Sequence, residues 1–372
     1  MACERYFLQA AGIVSALGVN TVETAARLSQ GDVSGMKKLS GLCDGDETYF
    51  GFASGFPAPC TLEAENPQRE TPRVGRLLDA ALAQISAEID EAAGIFGEDR
   101  VGSVIGTSNS TMEEFTDDPV VIDMSYPARH VREVSRAKGP SFAVSTACSS
   151  SAKAFAAARR LISSGRCDAV VVGGADAYTR TVIEGFHSLE ALSSGLSKPM
   201  SPDRDGINLG EAAAVFLMRR DVPGRFKGGN CVFLAGVGES SDAYHLTAPD
   251  PSGRGAEEAM RRALADAGLS PRDIDFINLH GTGTRYNDSM ECDAVMRVFG
   301  RREAEEGGFL TDALAVRAFS TKRMTGHTLG AAGAVEAVLT WLELGRKPGA
   351  ALSNSFAFGG SNASLAFISA VV

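Results

Sequence analysis

Short apolar runs punctuated by glycine set the rhythm of this chain. Arg100–Gly106 (RVGSVIG), Ala169–Gly173 (AVVVG), Ala213–Met218 (AVFLM), Val232–Val237 (VFLAGV), Ile274–Leu279 (IDFINL) and Ser364–Val371 (SLAFISAV) have the length and β-branched content of strands covered on both faces. Between them the apolar period lengthens. Asn20-Thr-Val-Glu23 reads as a cap ahead of TAARLSQ, and Ala256–Ala267 (AEEAMRRALADA) as an amphipathic helix ended by Gly268 with Pro271 beyond. Ala331–Leu344 (AAGAVEAVLTWLEL) is an apolar helix expected to stop at Gly345. Strands alternating with helices predict an α/β sheet sandwich with helical layers. Gly41–Pro72, rich in glycine, proline and acidic residues, reads as surface loop.

At 372 residues the chain exceeds the usual size of one core and predicts two closely packed halves. Its 44% apolar and 22% charged residues are ordinary for a globular protein. A net charge of −10 and scattered Lys and Arg exclude nucleic acid as the expected partner. No stretch reaches the roughly 20 apolar residues of a membrane helix. The start, MACERYFLQAAGIVSALG, lacks the pattern of a secretory signal. Seven dispersed cysteines without a CxxC pair argue for reduced thiols and against a disulfide framework or a zinc knuckle. These features lead to the expectation of a cytoplasmic protein.

Candidate chemistry begins at Phe142–Ser164 (FAVSTACSSSAKAFAAARRLISS), where an apolar run stops at small residues and Cys148 opens an Ala-rich helix. Unpaired N–H groups and the helix dipole there favour a thiolate and could hold an oxyanion on an attacked thioester. Taken singly, such a cysteine is more often a buried packing residue. His280 follows a predicted strand in NLHGTGT, and His327 lies in STKRMTGHTLGAAG before an apolar helix. Glycines on both sides allow close approach to each imidazole. Lys322 precedes His327, while Asp288 and Glu291 follow His280. A cysteine with two histidines would suit thioester chemistry that needs a nucleophile and two polarising donors. Each histidine alone fits a hydrogen-bonded structural role better than a catalytic one. No HxxxH occurs, so no metal is expected, and His130, His187 and His245 read as surface or packing residues. Ser353–Asn362 (SNSFAFGGSN) puts two aromatics beside paired glycines ahead of the last strand. It is either a mobile gate or a tight turn, and the absence of a following Lys-Ser/Thr argues against a P-loop.

Six segments in order resemble the elongating (I/II type) β-ketoacyl-carrier-protein synthases of the thiolase-like superfamily. They are TACSSS around Cys148, RDGINLGEAAAVFL, SSDAYHLTAP, HGTGTRYNDSME, STKRMTGHTLGAAGAVE and NSFAFGGSNASL. The resemblance implies a thiolase-like, duplicated αβαβα five-layered sandwich. Residues 1–220 would form a half carrying the nucleophile, and 221–372 a half carrying the two histidines. It further implies that Cys148 is acylated from an acyl carrier protein, that His280 and His327 complete a Cys-His-His triad, and that Lys322 and Glu291 form a supporting charged pair. The N–H groups of Cys148 and Phe358 would make the oxyanion hole. Thr282 and Thr284 would contact the pantetheine arm, and Phe356, Phe358, Gly359 and Gly360 the substrate, with Phe358 as gate. No cofactor is implied beyond the carrier's phosphopantetheine.

The expected reaction is decarboxylative condensation with malonyl-carrier protein, in a homodimer or in a heterodimer with a ketosynthase-like subunit. Arg73, Arg76, Arg129, Arg132, Lys198 and Arg204 are the basic residues expected to meet the acidic carrier. The opening FLQAAGIVSALGVNTVETAARLSQGD and the segment GFHSLEALSSGLSKPMSPDRDGINLGE look like ketosynthases of aryl polyene clusters. The alternative is a non-catalytic partner subunit of the chain-length-factor kind, which would lack the nucleophile that is present here. Three departures stand out: shortened stretches between Gly106 and Gly139 and between Leu344 and Asn354, and Ala357 where glycine is usual.

Overall fold

The computed structural model describes residues 4–42, 44–57, 71–112, 122–220, 224, 230–303 and 308–371. Cys3, Cys43 and Cys60 lie outside them. In chain order the first part holds β1 (Tyr6–Val14), α1 (Thr21–Ser29), β2 (Met36–Leu39), β3 (Thr48–Gly51), α2 (Arg73–Ala83), α3 (Ser86–Phe96) and β4 (Val101–Gly106). It continues with α4 (Tyr126–Val134), β5 (Ser141–Val144), α5 (Ser150–Ser163), β6 (Ala169–Asp176), α6 (Arg180–Ser188), β7 (Leu209–Gly210) and β8 (Ala212–Arg219). The remainder is β9 (Asn230–Ser241), α7 (Arg254–Ala267), β10 (Phe276–Asn278), α8 (Arg285–Phe299), β11 (Arg317–Phe319), α9 (Lys322–Thr325), α10 (Ala332–Arg346), β12 (Ala350–Phe356) and β13 (Ser361–Val371).

Ten strands run β11-β10-β12-β13-β9-β1-β8-β6-β4-β5. The order is one five-strand pattern used twice. In each set the third strand lies at the edge, the first at the centre, and the fifth between the first and the fourth. Orientation repeats too: β5, β4 and β6 are parallel, as are β11, β10 and β12, while β8 and β13 run antiparallel to their neighbours. Among the described residues the two sets pair through Tyr6↔Leu234 and Phe7↔Phe233.

Side-chain alternation explains the layering. In β8, Ala212, Ala214, Phe216 and Met218 face one core with α5 and α10, whereas Ala213, Val215 and Leu217 face another with α2 and α3. The outer face of the second set packs on α7 and α8. Helices therefore cover the sheets outside and fill the space between them, the α/β layering that the resemblance implies. A smaller sheet, β2-β3-β7, packs on α6 through Phe50, Phe52 and Ile183.

Asn20 caps α1 by accepting from the Glu23 N–H, and α7 ends at Gly268 in the left-handed region, both as the sequence predicts. Gly41–Pro72 is not simply surface loop: it contains β3, and Leu42, Phe50 and Phe52 are buried. Its residues 43 and 58–70 lie outside the described ones. Helix α10 runs through Gly345 to Arg346, because a helix tolerates one interior glycine at about 1 kcal/mol when packing holds it. The strand expected at Ile274–Leu279 shortens to Phe276–Asn278 behind a 3-10 turn at Pro271–Asp273.

Candidate active site

Three parallel-strand ends from each set of five point to one place. From the first set, β5 leads to Cys148, β4 to Thr107–Ser110, and β6 ends at Asp176. From the second, β10 leads to His280, β11 to Lys322 and His327, and β12 to Phe358. Crevices beyond the carboxyl ends of strands are where α/β sheets gather ligands.

Cys148 lies two residues before α5 rather than at its first turn, on an elbow where Ala147 takes φ +54°. That conformation is costly for alanine, about 1–3 kcal/mol, and it turns the sulfur into the cavity. The N–H groups of Phe358 and Cys148 itself both reach the sulfur, as an oxyanion hole at these two residues would require. The thiolate expectation needs correcting. Burial pushes the Cys148 thiol up to about 11, against the pull of the Lys322 charge and the two N–H groups. Desolvation outweighs the helix end, so the resting sulfur carries its proton.

His280 and His327 stand at right angles, ring centroids 5.2 Å apart, and their nitrogens lie within 4.8 Å of each other and of the Cys148 sulfur. Burial, reinforced by Lys322, holds both imidazoles well below the usual histidine pKa, so both are neutral. Each Nδ1 faces a donor: the Leu329 N–H at 3.3 Å for His327, and the Lys322 ammonium at 3.5 Å for His280. A neutral ring that accepts at Nδ1 carries its proton on Nε2. The His327 Nε2 is buried without a protein partner. The His327 N–H is thus free for a substrate oxygen, and His280 lines the same cavity. A divalent cation could span the same three side chains, but the buried Lys322 charge beside them opposes one.

Lys322 and Glu291 are not a pair. Lys322 Nζ forms its ion pair with Glu336 and donates to the His280 carbonyl at 2.6 Å. Glu291 instead accepts from the N–H groups of His280 and Gly281 at 2.9 and 2.8 Å and from Asn354 Nδ2. It shapes the turn that carries the imidazole. Burial raises both Glu291 and Glu336 to about 7, with Lys322 pulling Glu336 the other way. Glu336 was the residue to find: it is the only acidic side chain in the run AAGAVEAVLTW, and a carboxylate inside an apolar helix demands a cation.

The cavity, about 520 Å³, opens from Cys148 and the two histidines past Thr282, Thr284 and Phe356 to a mouth at Leu189, Arg285 and Tyr286. The Thr282 and Thr284 hydroxyls are 3.0 Å apart. Phe358 lines the cavity and stacks on Phe186 at 5.8 Å. Gly359 and Gly360 do not line it; they form the β12–β13 turn, both with positive φ, behind Phe358. Ala357 has φ −97°, a conformation alanine adopts freely, so its Cβ does not strain the loop.

Of the basic residues expected at the carrier surface, Arg73 and Arg204 are buried. Arg73 pairs with Glu211 at 2.5 Å, and Arg204 donates to Ser289 and to the Ser201 carbonyl. Lys198 pairs with Asp203, and Arg129 with Asp123 and Glu133. Arg285, exposed at the mouth, went unnoticed in the sequence. His130 and His187 meet Asp79 and Asp46, and His245 accepts from the Thr247 N–H, all away from the triad.

Because the thiol is raised, its alkylation by iodoacetamide should climb about tenfold per pH unit from pH 7 to pH 9. The thiolate fraction keeps growing until pH passes about 11. A plateau by pH 8 would mean a depressed pKa instead.

The family descriptions "Beta-ketoacyl synthase, N-terminal domain" and "Beta-ketoacyl synthase, C-terminal domain" match residues 67–222 and 232–351. The 3-oxoacyl-[acyl-carrier-protein] synthase 2 of Staphylococcus aureus (strain COL) is 29% identical, over 98% of both chains. Among solved structures, a chain from the complex of a ketosynthase with its chain length factor from Xenorhabdus doucetiae is 38% identical. It superimposes with a TM-score of 0.85 over 99% of this chain and 98% of that one. A beta-ketoacyl synthase from Burkholderia phymatum STM815 is 26% identical with a TM-score of 0.79, over 99% of this chain and all of the other. Among the described residues, no helix is long and apolar enough to cross a membrane.

Proposed function

Since the chain belongs to the beta-ketoacyl synthase family and is a 3-oxoacyl-carrier-protein synthase, an acyltransferase, we propose that it extends a carrier-bound acyl chain through Cys148 by decarboxylative condensation. The observation that carries this reading is the pair of neutral imidazoles facing a sulfur that two backbone N–H groups already reach.

The Cys148 sulfur attacks the acyl thioester and a new C–S bond forms. The carrier thiol leaves with the proton that Cys148 gives up. Malonyl-carrier protein then enters, with its arm passing Thr282 and Thr284. As the C–CO₂ bond breaks, its electron pair becomes an enolate whose oxygen takes the Nε2–H groups of His280 and His327. Preorganised neutral donors in a dry site are worth several kcal/mol to such a charge. The enolate carbon attacks the acyl carbonyl, whose oxygen meets the N–H groups of Cys148 and Phe358. Collapse breaks the C–S bond, leaving Cys148 to regain a proton and the β-ketoacyl group on the second carrier.

The partners follow from the same reading. A carrier protein brings both substrates, and a second ketosynthase-like subunit, identical or of the chain-length-factor kind, completes the assembly. Support comes from β5, which is the sheet's edge strand and exposes Phe142, and from the two-subunit complex of the Xenorhabdus relative. The stretches resembling aryl polyene ketosynthases favour a polyunsaturated product over a saturated fatty acid. Incubation with acyl-, malonyl- and aryl-primed carrier proteins, read by mass spectrometry, tests this. Elongation of a saturated acyl chain alone would remove the aryl polyene reading.

Phe358 is the proposed gate, held by its stack on Phe186. Phe358→Ala should flatten the chain-length profile of Cys148 acylation and lower Tm only slightly, because the ring is half-buried. Lost stability with an unchanged profile would make the segment a plain turn. For the carrier, Arg285→Glu should cut acylation from an acyl-carrier protein several-fold, chiefly in kcat/KM, and more at low salt than at high. Acylation from a small acyl thioester should stay unchanged. Equal losses with both donors would place Arg285 in the chemistry rather than in docking.

A further inference from the structure

A densely hydrogen-bonded carboxyl lies outside the cluster of Cys148, His280 and His327. Asp176, at the end of β6, is completely buried. Its Oδ1 accepts from Thr107 Oγ1 at 2.5 Å and from the N–H groups of Ser108, Asn109 and Ser110 at 3.0, 3.1 and 3.3 Å. Its Oδ2 accepts from the Ser108 N–H and hydroxyl at 2.9 and 2.6 Å and from the Gly330 N–H at 2.6 Å. Burial pushes the Asp176 carboxyl up, and the hydroxyl and backbone N–H donors on both oxygens pull against it.

The donors come from opposite halves of the strand pattern. Thr107–Ser110 follow β4, and Gly330 lies between His327 and α10. Both segments are strained where the carboxylate grips them: Ser110 has φ +46° and Leu329 φ +52°. Leucine in the left-handed region costs about 1–3 kcal/mol and persists only when its surroundings over-determine it. Gly330 has no room for a side chain, since a Cβ would come within 2.5 Å of the Ser108 nitrogen and 2.7 Å of Asp176 Oδ2. On its other side the turn is tied to the small sheet, with the His327 N–H on the Asn208 carbonyl and the Gly210 N–H on the His327 carbonyl. Leu329, forced into its unusual φ between these anchors, is the residue whose N–H meets His327 Nδ1.

We propose that Asp176 is a positioning residue. By holding the Gly330 N–H it keeps the Leu329 N–H on His327 Nδ1, and so keeps the Nε2–H tautomer of His327 aimed at the substrate oxygen. The inference rests on the reading of His327 as an enolate donor, but its structural half can be tested apart from that reading. Without the carboxyl group, Leu329 relaxes toward negative φ, its N–H swings away, and the imidazole populates both tautomers.

The test uses Asp176→Asn, nearly isosteric and uncharged, with Thr107→Val as a milder variant that removes one donor from the same carboxylate. Side-chain ¹⁵N NMR of the histidines should show His327 as the Nε2–H tautomer in the parent and as a mixture in Asp176→Asn. Condensation should fall at least about tenfold in kcat, the range seen when second-layer partners of a functional histidine are removed, with KM for malonyl-carrier protein little changed. Acylation of Cys148 should be no slower, because the Asp176 charge is among the groups that raise the thiol. Thr107→Val should shift both readouts in the same direction by less. If Asp176→Asn does not fold, Thr107→Val alone decides between the outcomes. An unchanged His327 tautomer with unchanged condensation, or equal loss of acylation and condensation tracking a lower Tm, overturns the proposal. If the tautomer mixes but His327→Ala itself condenses normally, the positioning stands and the donor reading of His327 falls.

Discussion

His280→Ala and His327→Ala are each expected to form acyl-Cys148 at nearly the parent rate and to lose condensation by about 10²-fold or more. The asymmetry follows from when each group is needed. An enolate oxygen exists only in the second half-reaction, so donors that serve it stabilise that transition state alone. Removing one such donor from a dry site costs about 2.7–4 kcal/mol in kcat. Acyl loading relies on the N–H groups of Cys148 and Phe358, which neither substitution touches. Rapid-quench measurement of acyl-Cys148, beside steady-state condensation, separates the two steps. Mutants that load slowly and condense at the parent rate per loaded enzyme would reverse the assignment.

Lys322→Met should have the second-largest effect, and a pH signature of its own. Breaking a buried ion pair by removing one partner typically costs about 3–5 kcal/mol, because the other charge stays buried and unpaired. Here the survivor is Glu336, already raised by burial to about 7 in the presence of the lysine. Without that cation its pKa climbs further. A carboxyl whose folded pKa lies above its unfolded value binds more protons when folded, so stability falls as pH rises between the two values. The window opens near the ordinary carboxyl range and, in the variant, extends past 7. Lys322→Met should therefore lie close to the parent in Tm at pH 5 and well below it at pH 8. Glu336→Gln added to Lys322→Met should recover most of the stability, because no unpaired charge remains. It should not recover condensation, since the Lys322 ammonium that faces His280 Nδ1 is still missing. A double variant as unstable as Lys322→Met, or one with restored activity, would contradict the pairing.

The strands recognised in the sequence were those with dense β-branched runs buried on both faces, such as Ala169–Asp176 and Ala212–Arg219. Those missed hide their burial. In β12, Ser353, Asn354 and Ser355 are buried, yet they read as turn chemistry. In β11 only three residues pair, too few for any period to register. Strand β1 carries the buried Gln9 in mid-run, which breaks the apolar pattern.

At the site, Cys148, His280 and His327 stood out because nucleophile and imidazoles sit in turns whose small residues admit a ligand. The partner of Lys322 did not, since the family resemblance implied Glu291 while the fold delivered Glu336. The raised thiol and the Asp176 clamp depend on desolvation and on contacts between segments more than 150 residues apart, such as Asp176 and Gly330. No local pattern encodes either.

The most direct test of the account is a single turnover followed by intact-mass spectrometry. The enzyme is loaded with an acyl group, freed of carrier, and mixed with malonyl-carrier protein. The account predicts that the acyl mass leaves Cys148 as a carrier species appears that has lost CO₂ and gained that acyl group. Malonyl-carrier protein converted only to acetyl-carrier protein, with the acyl group still on Cys148 or attached to another cysteine, would contradict it.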